Sequence, residues 1–231
     1  MARKKKRFSE RIRQIIAHKN PKSPISEQYR SIRTNLQFAS VDRDLETLVV
    51  TSSGPSEGKS LTTANVAVVF AQQGKKVLLV DADLRKPTVH YTFQVDNTTG
   101  LSNYLIGDAD LESTTSQTEV PNLDVATCGP IPPNPSEILS SKRMQQYIAE
   151  AKEAYDIVIF DTPPVLAVTD PSILAKECDG VLLVVRSKIT EHEAAEKSKE
   201  QLEQVQARIL GVVLNDREVK ESNYYYYYGN K

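Results

Sequence analysis

The sequence predicts an α/β fold with a mostly parallel central sheet and helices on both of its faces. Short, strongly apolar stretches alternate along the chain with helical stretches, which is the pattern of parallel strands joined by helical crossovers. Glycine and acidic residues recur directly after these apolar stretches, and right-handed crossovers would gather such strand ends at one edge of the sheet. A length of 231 residues suits one domain of this kind with short appendages.

The elements of the first half follow from periodicity and from helix-breaking residues. A helix is predicted over 24–39, and the strand TLVVTSS comes next. The helix LTTANVAVVFAQQG then ends at Gly74, and KVLLVDAD and the weaker NLDVAT are the second and third strands. The apolar residues expected to share one face of the first helix are Ile25, Tyr29, Ile32, Leu36 and Ala39.

The second half continues the alternation. One helix is predicted over NPSEILSSKRMQQYIAEAKE, where Asn134 caps, Pro135 takes the first helical position and Glu137 completes a capping box. The strands YDIVIFDTPP, GVLLVVRS and ILGVVLN follow, separated by the helices DPSILAKE and EHEAAEKSKEQLEQVQ. Nothing in this order divides the core, so we expect a single domain over 23–216.

Composition excludes several classes of protein. No apolar run approaches the ~18–20 residues that span a bilayer, and the charged N-terminus lacks the apolar region of a signal peptide. Cys128 and Cys178 are isolated and the three histidines are scattered, so neither a disulfide framework nor a structural zinc site is expected. These features favour a cytoplasmic protein, and we expect no nucleic-acid partner.

Two appendages flank the predicted domain. Residues 1–22 form a basic arm, expected to be flexible, with eight Lys or Arg in its first nineteen residues and only Glu10 opposing them. This arm is either a solvated segment or a contact to anionic lipid, for which Phe8, Ile12, Ile15 and Ile16 would supply apolar groups. Residues 217–231 form a tail with five consecutive tyrosines, Tyr224, Tyr225, Tyr226, Tyr227 and Tyr228.

The stretch between the first strand and its helix resembles a phosphate-binding loop. It is composed of Ser53, Gly54, Pro55, Ser56, Glu57, Gly58, Lys59 and Ser60. Its backbone N–H groups and the start of the helix can converge on phosphate oxygens. Lys59 supplies a cation for the terminal phosphates and the Ser60 hydroxyl a ligand for Mg²⁺. The glycine that normally opens this motif is Ser53 here.

Three aspartates end the neighbouring apolar strands. Asp81 and Asp83 follow the second strand and Asp161 ends VIFD, where an acidic group at the end of a buried strand needs a partner. Mg²⁺ on ATP is one such partner, and one of these carboxylates can also accept a proton from an attacking hydroxyl. The alternative is that the aspartates cap helices or pair with Arg85 and Lys86.

Together these motifs resemble the bacterial tyrosine kinases of Firmicutes, the cytoplasmic kinases of capsule and exopolysaccharide systems. The resemblance runs from about residue 22 to the C-terminus and rests on the loop at 53–60, LLVDADLRKP at 78–87, VIFDTPP at 158–164 and the tyrosine cluster. A further match is EQYRSIR, in which Glu27, Arg30 and Arg33 follow the pattern that lies at the subunit interface of a ring, commonly an octamer, in that family.

The resemblance implies a fold and a set of roles. The fold would be that of P-loop NTPases of the ParA/MinD-like subclass, with ATP and Mg²⁺ as cofactors. Lys59 would contact the terminal phosphates, Ser60 with Asp161 would organise Mg²⁺, and Asp81 and Asp83 would orient the metal shell and activate a tyrosine hydroxyl. Asp81 is the favoured base, and Asn215 is an adenine contact by analogy with this class of ATPase.

The resemblance also implies how the protein works in the cell. The tail tyrosines would be phosphorylated by the kinase itself, in cis or in trans, and other proteins would be phosphorylated on tyrosine. A separate membrane adaptor would recruit the chain to the inner face of the membrane and stimulate it. One departure is Ser56, where the family usually has glycine; if that position needs a positive φ, the serine carries strain.

Two other functions remain open at this stage. A ParA/MinD-type positioning ATPase shares the fold class, although the signature lysine of that group is absent where this chain has Ser52, Ser53 and Gly54. A scaffold that binds ATP only to oligomerise would also account for the loop. The residues of EQYRSIR could likewise be a simple intrahelical ion pair between Glu27 and Arg30.

Overall fold

The computed structural model describes residues 15–40 and 44–218. Within these residues the strands are β1 Thr47–Ser52, β2 Val77–Asp81, β3 Thr115–Gln117, β4 Leu123–Ala126, β5 Ile157–Asp161, β6 Gly180–Arg186 and β7 Ile209–Asn215. They form one sheet in the order β3-β4-β2-β5-β1-β6-β7. Every pairing in this sheet is parallel except that of β3 with β4. The predicted fold class is confirmed.

Helices connect these strands and pack on the sheet. They are α1 Ile16–Lys19, α2 Pro24–Ala39, α3 Lys59–Ala71, α4 Val89–Phe93, α5 Leu101–Ile106, α6 Pro135–Leu139, α7 Lys142–Ala154, α8 Asp170–Glu177 and α9 His192–Gln204. None of the helices in the two described ranges is long and apolar enough to cross a bilayer.

The core lies in two layers because side chains alternate between the faces of a strand. Along β1, Val49 belongs to one apolar cluster whereas Leu48 and Val50 belong to the other. The first cluster packs under α7 and α8, and the second packs under α2 and α3. The central strands β1, β2 and β5 are buried along their whole length. Only their ends can therefore present polar groups to a ligand.

The helix α2 has the predicted bounds but a shifted buried face. Leu36 is buried and Tyr29 and Ile32 pack against the core, as predicted, but Ile25 is 52% exposed. Ser26 is buried in its place, and its hydroxyl donates to the carbonyl oxygens of Ile16 (3.2 Å) and Asn20 (2.7 Å). The first turn of α2 thus packs against α1 through a polar contact, which apolar periodicity does not detect.

The inner end of the predicted basic arm is part of the core. Ile15 and Ala17 are buried, and the Ala17 N–H donates to Asn65 Oδ1 in α3 at 2.9 Å. Ile15 and Ala17 therefore pack against the domain, so the expectation of a flexible arm does not hold for them, whereas Lys19 and Asn20 are exposed. Residues 1–14 of the arm lie outside the described residues, as do Tyr224–Tyr228.

The helix predicted over NPSEILSSKRMQQYIAEAKE is two helices. The helix is interrupted at Ser140 and Ser141, between α6 and α7. The Ser141 hydroxyl accepts a hydrogen bond from the Met144 N–H at 3.4 Å and so caps the N-terminus of α7. Asn134 stands at the N-terminus of α6, but its side chain donates to Glu137 instead of accepting from the backbone. Serines compete for backbone hydrogen bonds, and here that competition ends one helix and begins the next.

Candidate active site

Three adjacent strands bring the predicted site residues to one edge of the sheet. The spatial order β2-β5-β1 places Asp81 beside Asp161, which are paired in register, and places the loop after β1 next to them. Asp161 in turn lies opposite Val50 of β1. The carboxyl ends of parallel strands are the usual place for ligand sites in α/β proteins.

The loop after β1 leads directly into α3, as a phosphate-binding loop does. Lys59 is the first residue of α3, and Gly58 before it has a φ of +89°. Ser56 has a φ of +64°, so this position, where the resemblance led us to expect glycine, adopts a left-handed backbone. Ser56 therefore carries the strain that its departure from glycine implied.

Neighbouring strands hold this loop through polar contacts. Asn215 at the end of β7 donates its amide Nδ2 to the Glu57 carbonyl oxygen at 2.9 Å. Thr190 donates its hydroxyl to Glu57 Oε1 at 2.5 Å, and Arg186 Nη1 approaches the Ser56 carbonyl oxygen at 3.4 Å. Arg186 and Thr190 were not singled out from the sequence, since no motif marks them.

Lys59 connects the loop to the acidic strand ends. Its Nζ donates to Asp161 Oδ1 at 2.6 Å, lies 3.2 Å from Ser60 Oγ and 4.0 Å from Asp83 Oδ2. Thr63 also donates to Asp161 Oδ1, at 3.2 Å. Thr63 was missed as well, although it lies one helical turn after Lys59 and therefore on the same side of α3.

Asp81 and Asp83 differ in their surroundings. Asp81 is fully buried, and its Oδ2 accepts from the N–H groups of Thr88 (2.8 Å) and Val89 (2.9 Å) at the start of α4. Burial, and then the charge of Asp161, raise the pKa of Asp81 to about 7. Asp83 is partly exposed and accepts from the Lys86 N–H at 3.0 Å. Burial raises the pKa of Asp83 as well.

The alternative roles of these aspartates, helix capping or pairing with Arg85 and Lys86, are found only in part. Asp81 does cap a helix, as that alternative supposed, but Arg85 pairs with Asp170 rather than with Asp81 or Asp83. Within the described residues, Asp81 Oδ1 and Asp161 Oδ2 are buried oxygens without a hydrogen-bond partner. Buried carboxylate oxygens of this kind need a cation or a donor.

The residues fit a magnesium ion that takes part of its coordination from elsewhere. No three His, Cys, Asp or Glu side chains within 15–40 and 44–218 converge as a complete metal site. Mg²⁺ at nucleotide sites is bound by one or two carboxylates together with phosphates and waters, so a complete protein cage is not required. Asp81 Oδ1, Asp161 Oδ2 and the Ser60 hydroxyl are the available oxygens.

The predicted interface residues make contacts within the chain. Arg30 pairs with Glu27, as the intrahelical alternative supposed, and also donates Nη2 to the Pro21 carbonyl oxygen at 2.7 Å. Arg33 Nη1 donates to the Val69 carbonyl oxygen near the end of α3 at 2.8 Å. A role of these residues between subunits stays a prediction, as does an adenine contact by Asn215.

Comparisons with known proteins agree on the class of this chain. A family model described as AAA domain (AAA_31) matches residues 46–215. The tyrosine-protein kinase YwqD of Bacillus subtilis is 53% identical over 231 residues, which cover 100% of this chain and 98% of that protein. The putative tyrosine-protein kinase CapB of Staphylococcus aureus is 40% identical, with 99% of each chain covered.

Solved structures extend the agreement to the fold. The crystal structure of the chimerical protein CapA2B2 matches with a TM-score of 0.86 and 44% identity, covering 89% of this chain and 90% of that one. The cell division ATPase MinD of Pyrococcus furiosus matches more distantly, with a TM-score of 0.63, 25% identity and 77% of each chain covered. The chain thus shares its fold with MinD and resembles the tyrosine kinases more closely.

Proposed function

The chain belongs to the bacterial tyrosine-protein kinases built on the AAA domain, and from this membership we propose that it binds Mg²⁺–ATP at the β2-β5-β1 edge and phosphorylates its own tail. The observation that carries the proposal is the convergence of Lys59, Asp83 and Asp161 on one another beside the phosphate loop. A cation and carboxylates held this close at a loop of this type are the components of a phosphoryl-transfer site.

Each residue of the site has a proposed role. The backbone N–H groups from Gly54 to Ser60, except at Pro55, which has none, bind phosphate oxygens, and Lys59 leaves Asp161 to contact the terminal phosphates. Asp81 and Asp161 hold Mg²⁺ through their oxygens that lack a hydrogen-bond partner, and Ser60 through the hydroxyl that Lys59 now contacts. The bound metal would neutralise charge that develops on the phosphates during transfer.

The base that accepts the tyrosine proton is one of two aspartates. Before Mg²⁺ binds, Asp81 is more basic than an ordinary carboxyl, since its pKa of about 7 is nearer to the ~10 of a phenol, and a Mg²⁺ held by Asp81 would lower that pKa. Asp83 has the better access, because it is partly exposed and Asp81 is fully buried. We keep Asp81 as the favoured base and Asp83 as its competitor; the pH dependence of the rate in Asp81→Asn and Asp83→Asn separates them.

The proposed acceptors are Tyr224–Tyr228. The strand β7 ends at Asn215 beside the phosphate loop, so the tail leaves the domain at the edge that carries the site. Residues 216–223 span up to roughly 26 Å at ~3.3 Å each, which is enough to reach either the same active site or that of a neighbour. Delivery in trans is favoured if the subunits form a ring.

The proposed assembly is a homo-oligomeric ring, of the octameric kind that the family resemblance implies, with Glu27, Arg30 and Arg33 at the interface. Arg30 keeps about a quarter of its side chain exposed and Glu27 about half, so both can contact a neighbour. Each phosphate adds about −1.5 to −2 charges near neutral pH, and several modified tails around one ring would repel one another. We therefore propose that phosphorylation favours monomers.

The proposed partner is a membrane adaptor that recruits the chain to the inner face of the membrane and stimulates it. The structurally similar CapA2B2 is described as a chimerical protein, which supports a partner protein for this chain. With the family resemblance, this supports control of capsule or exopolysaccharide synthesis through phosphorylation of other proteins on tyrosine.

Incubation with labelled ATP and residue-resolved phosphate mapping test the proposed chemistry. We expect label on Tyr224–Tyr228 in the natural chain and none in Lys59→Met. Release of phosphate with a bare tail would favour the positioning ATPase, and neither product would favour the scaffold.

The same method separates cis from trans transfer. Lys59→Met is mixed with a chain that lacks the tail but is otherwise intact, and label on the former is the expected result. An unlabelled tail in that mixture would contradict trans transfer. Arg30→Ala combined with Arg33→Ala tests the ring by assembly mass, with an unchanged mass removing the proposed interface.

A further inference from the structure

A buried carboxylate outside the proposed site connects three loops at the same edge of the sheet. Asp170 is fully buried at the start of α8. It accepts two hydrogen bonds from Arg85, from Nε at 2.8 Å and from Nη2 at 3.0 Å, and one from the Ser136 hydroxyl at 2.7 Å. Arg85 Nη2 also donates to Ser136 Oγ at 2.9 Å, which closes the cluster.

Each member of the cluster belongs to a different connection. Arg85 lies in the loop after β2, Ser136 lies in α6 after β4, and Asp170 begins the helix after β5. A bidentate pair between guanidinium and carboxylate fixes orientation as well as distance. The cluster therefore ties the loop that carries Asp83 to the connection that begins at Asp161.

Arg85 is close enough to Asp83 in sequence for its pair with Asp170 to affect the position of the Asp83 carboxylate. Arg85 is two residues after Asp83, and the Lys86 N–H donates to Asp83 Oδ1 at 3.0 Å, so the turn is one compact unit. Leu84, between them, is fully buried. A displacement of the Arg85 side chain would move this turn and change the 4.0 Å separation of Asp83 Oδ2 from Lys59 Nζ.

We propose that Arg85 and Asp170 are positioning residues for tyrosine phosphorylation, which hold Asp83 in place relative to Lys59 and Asp161. This inference rests on the proposed function. The Arg85–Asp170 pair can affect phosphoryl transfer only if Lys59, Asp83 and Asp161 carry out that transfer. A pair that only stabilised the fold would leave the turnover of the folded enzyme unchanged.

The test compares Arg85→Met, Asp170→Asn, the double variant and Arg85→Lys in the full chain. The initial rate of tail phosphorylation is measured against ATP concentration, and folding is measured by urea unfolding. We expect kcat to fall about 100-fold in Arg85→Met and Asp170→Asn, since misplacement by about 1 Å costs about that much. The KM for ATP should change less than about threefold, because the phosphate loop itself is intact.

The double variant and the lysine variant sharpen the test. If both residues act through one contact, the double variant should lose no more than the worse single variant, rather than the product of the two. Arg85→Lys keeps the charge but not the bidentate geometry, so we expect an intermediate loss of about tenfold. Lys152→Gln is the control for loss of a half-exposed cation, because Lys152 is about as exposed as Arg85 and its pair with the exposed Glu46 (2.7 Å) lies away from the site.

Several outcomes would overturn the proposal. Folded variants with kcat within about threefold of the natural chain would reduce the pair to a structural contact, as would losses that multiply in the double variant. If Arg85→Met and Asp170→Asn do not fold, Arg85→Lys decides by the same measure. A natural chain that behaves like Lys59→Met would instead contradict the proposed function, so the two failures are distinguishable.

Discussion

Replacing Ser56 by glycine should stabilise the protein. Ser56 has a φ of +64°, a left-handed conformation that costs a residue with a β-carbon about 1–2 kcal/mol. Glycine removes this cost but loses about 0.5–1 kcal/mol through its larger freedom in the unfolded chain. Ser56 is exposed and accepts from Arg186 through its main-chain carbonyl, which glycine retains. The expected net gain is therefore about 0.5–1 kcal/mol in the free energy of unfolding.

Urea unfolding of the nucleotide-free protein measures this gain, with a thermal scan as a second assay. For a domain of this size the gain corresponds to a rise of roughly 1–4 °C in Tm. Ser56→Ala is the matched control: it removes the hydroxyl but keeps the β-carbon, so it should not stabilise. Equal stabilities of Ser56→Gly and Ser56→Ala would refute the assignment of strain to this position.

Three further predictions follow from the site and the core. Gly58→Ala would place a β-carbon 2.0 Å from Asn215 Nδ2 at a φ of +89°. Titration with ATP should show weakened binding, and urea unfolding should show a loss of about 1–3 kcal/mol in the free energy of unfolding. Adding Asn215→Ala should relieve only part of that loss, since the φ strain remains. Because the pKa of Asp81 is raised to about 7, the native state keeps the Asp81 proton up to a higher pH than the unfolded chain does. Asp81 therefore stabilises the folded state at low pH, and this stabilisation is lost as the pH rises towards 7. Asp81→Asn should therefore gain stability relative to the natural chain as the pH rises from about 4 to about 7 in urea unfolding, and a constant difference would contradict the shift. Leu36→Ala should cost about 2–5 kcal/mol because Leu36 is buried, whereas Ile25→Ala should cost under about 0.5 kcal/mol because Ile25 is exposed; equal losses would contradict the packing of α2.

The sheet was predictable because its strands are continuous apolar stretches bounded by polar residues. ILGVVLN and DPSILAKE match β7 and α8 residue for residue. The errors lie where polar side chains decide the structure. Ser141 begins a new helix inside a stretch that looks helical throughout, and Ser26 replaces Ile25 on the buried face of α2. The short strand β3 was missed, since its three residues, TSQ, carry no apolar signal.

The site was predictable where a motif fixes the spacing along the chain. Lys59, Asp83 and Asp161 are brought together as the strand order requires. The contacts that support them were not predictable, because they join residues far apart in sequence. Asp170 meets Arg85 across 85 positions, and Asn215 meets Glu57 across 158. No local pattern specifies such pairs; they follow from the sheet order once it is known.

The strand order also determines when during folding the site can exist. Thr47 of β1 pairs with Val158 of β5, about 110 residues later, so closing this contact carries the loop entropy of a long chain segment. Asp161, which lies against Lys59, ends that late strand. A nascent chain that has emerged only through the phosphate loop therefore lacks the strand end that carries Asp161 and gains little stability from ATP. We expect nucleotide to leave the rates of the early folding steps unchanged and to stabilise only the state in which the sheet is complete.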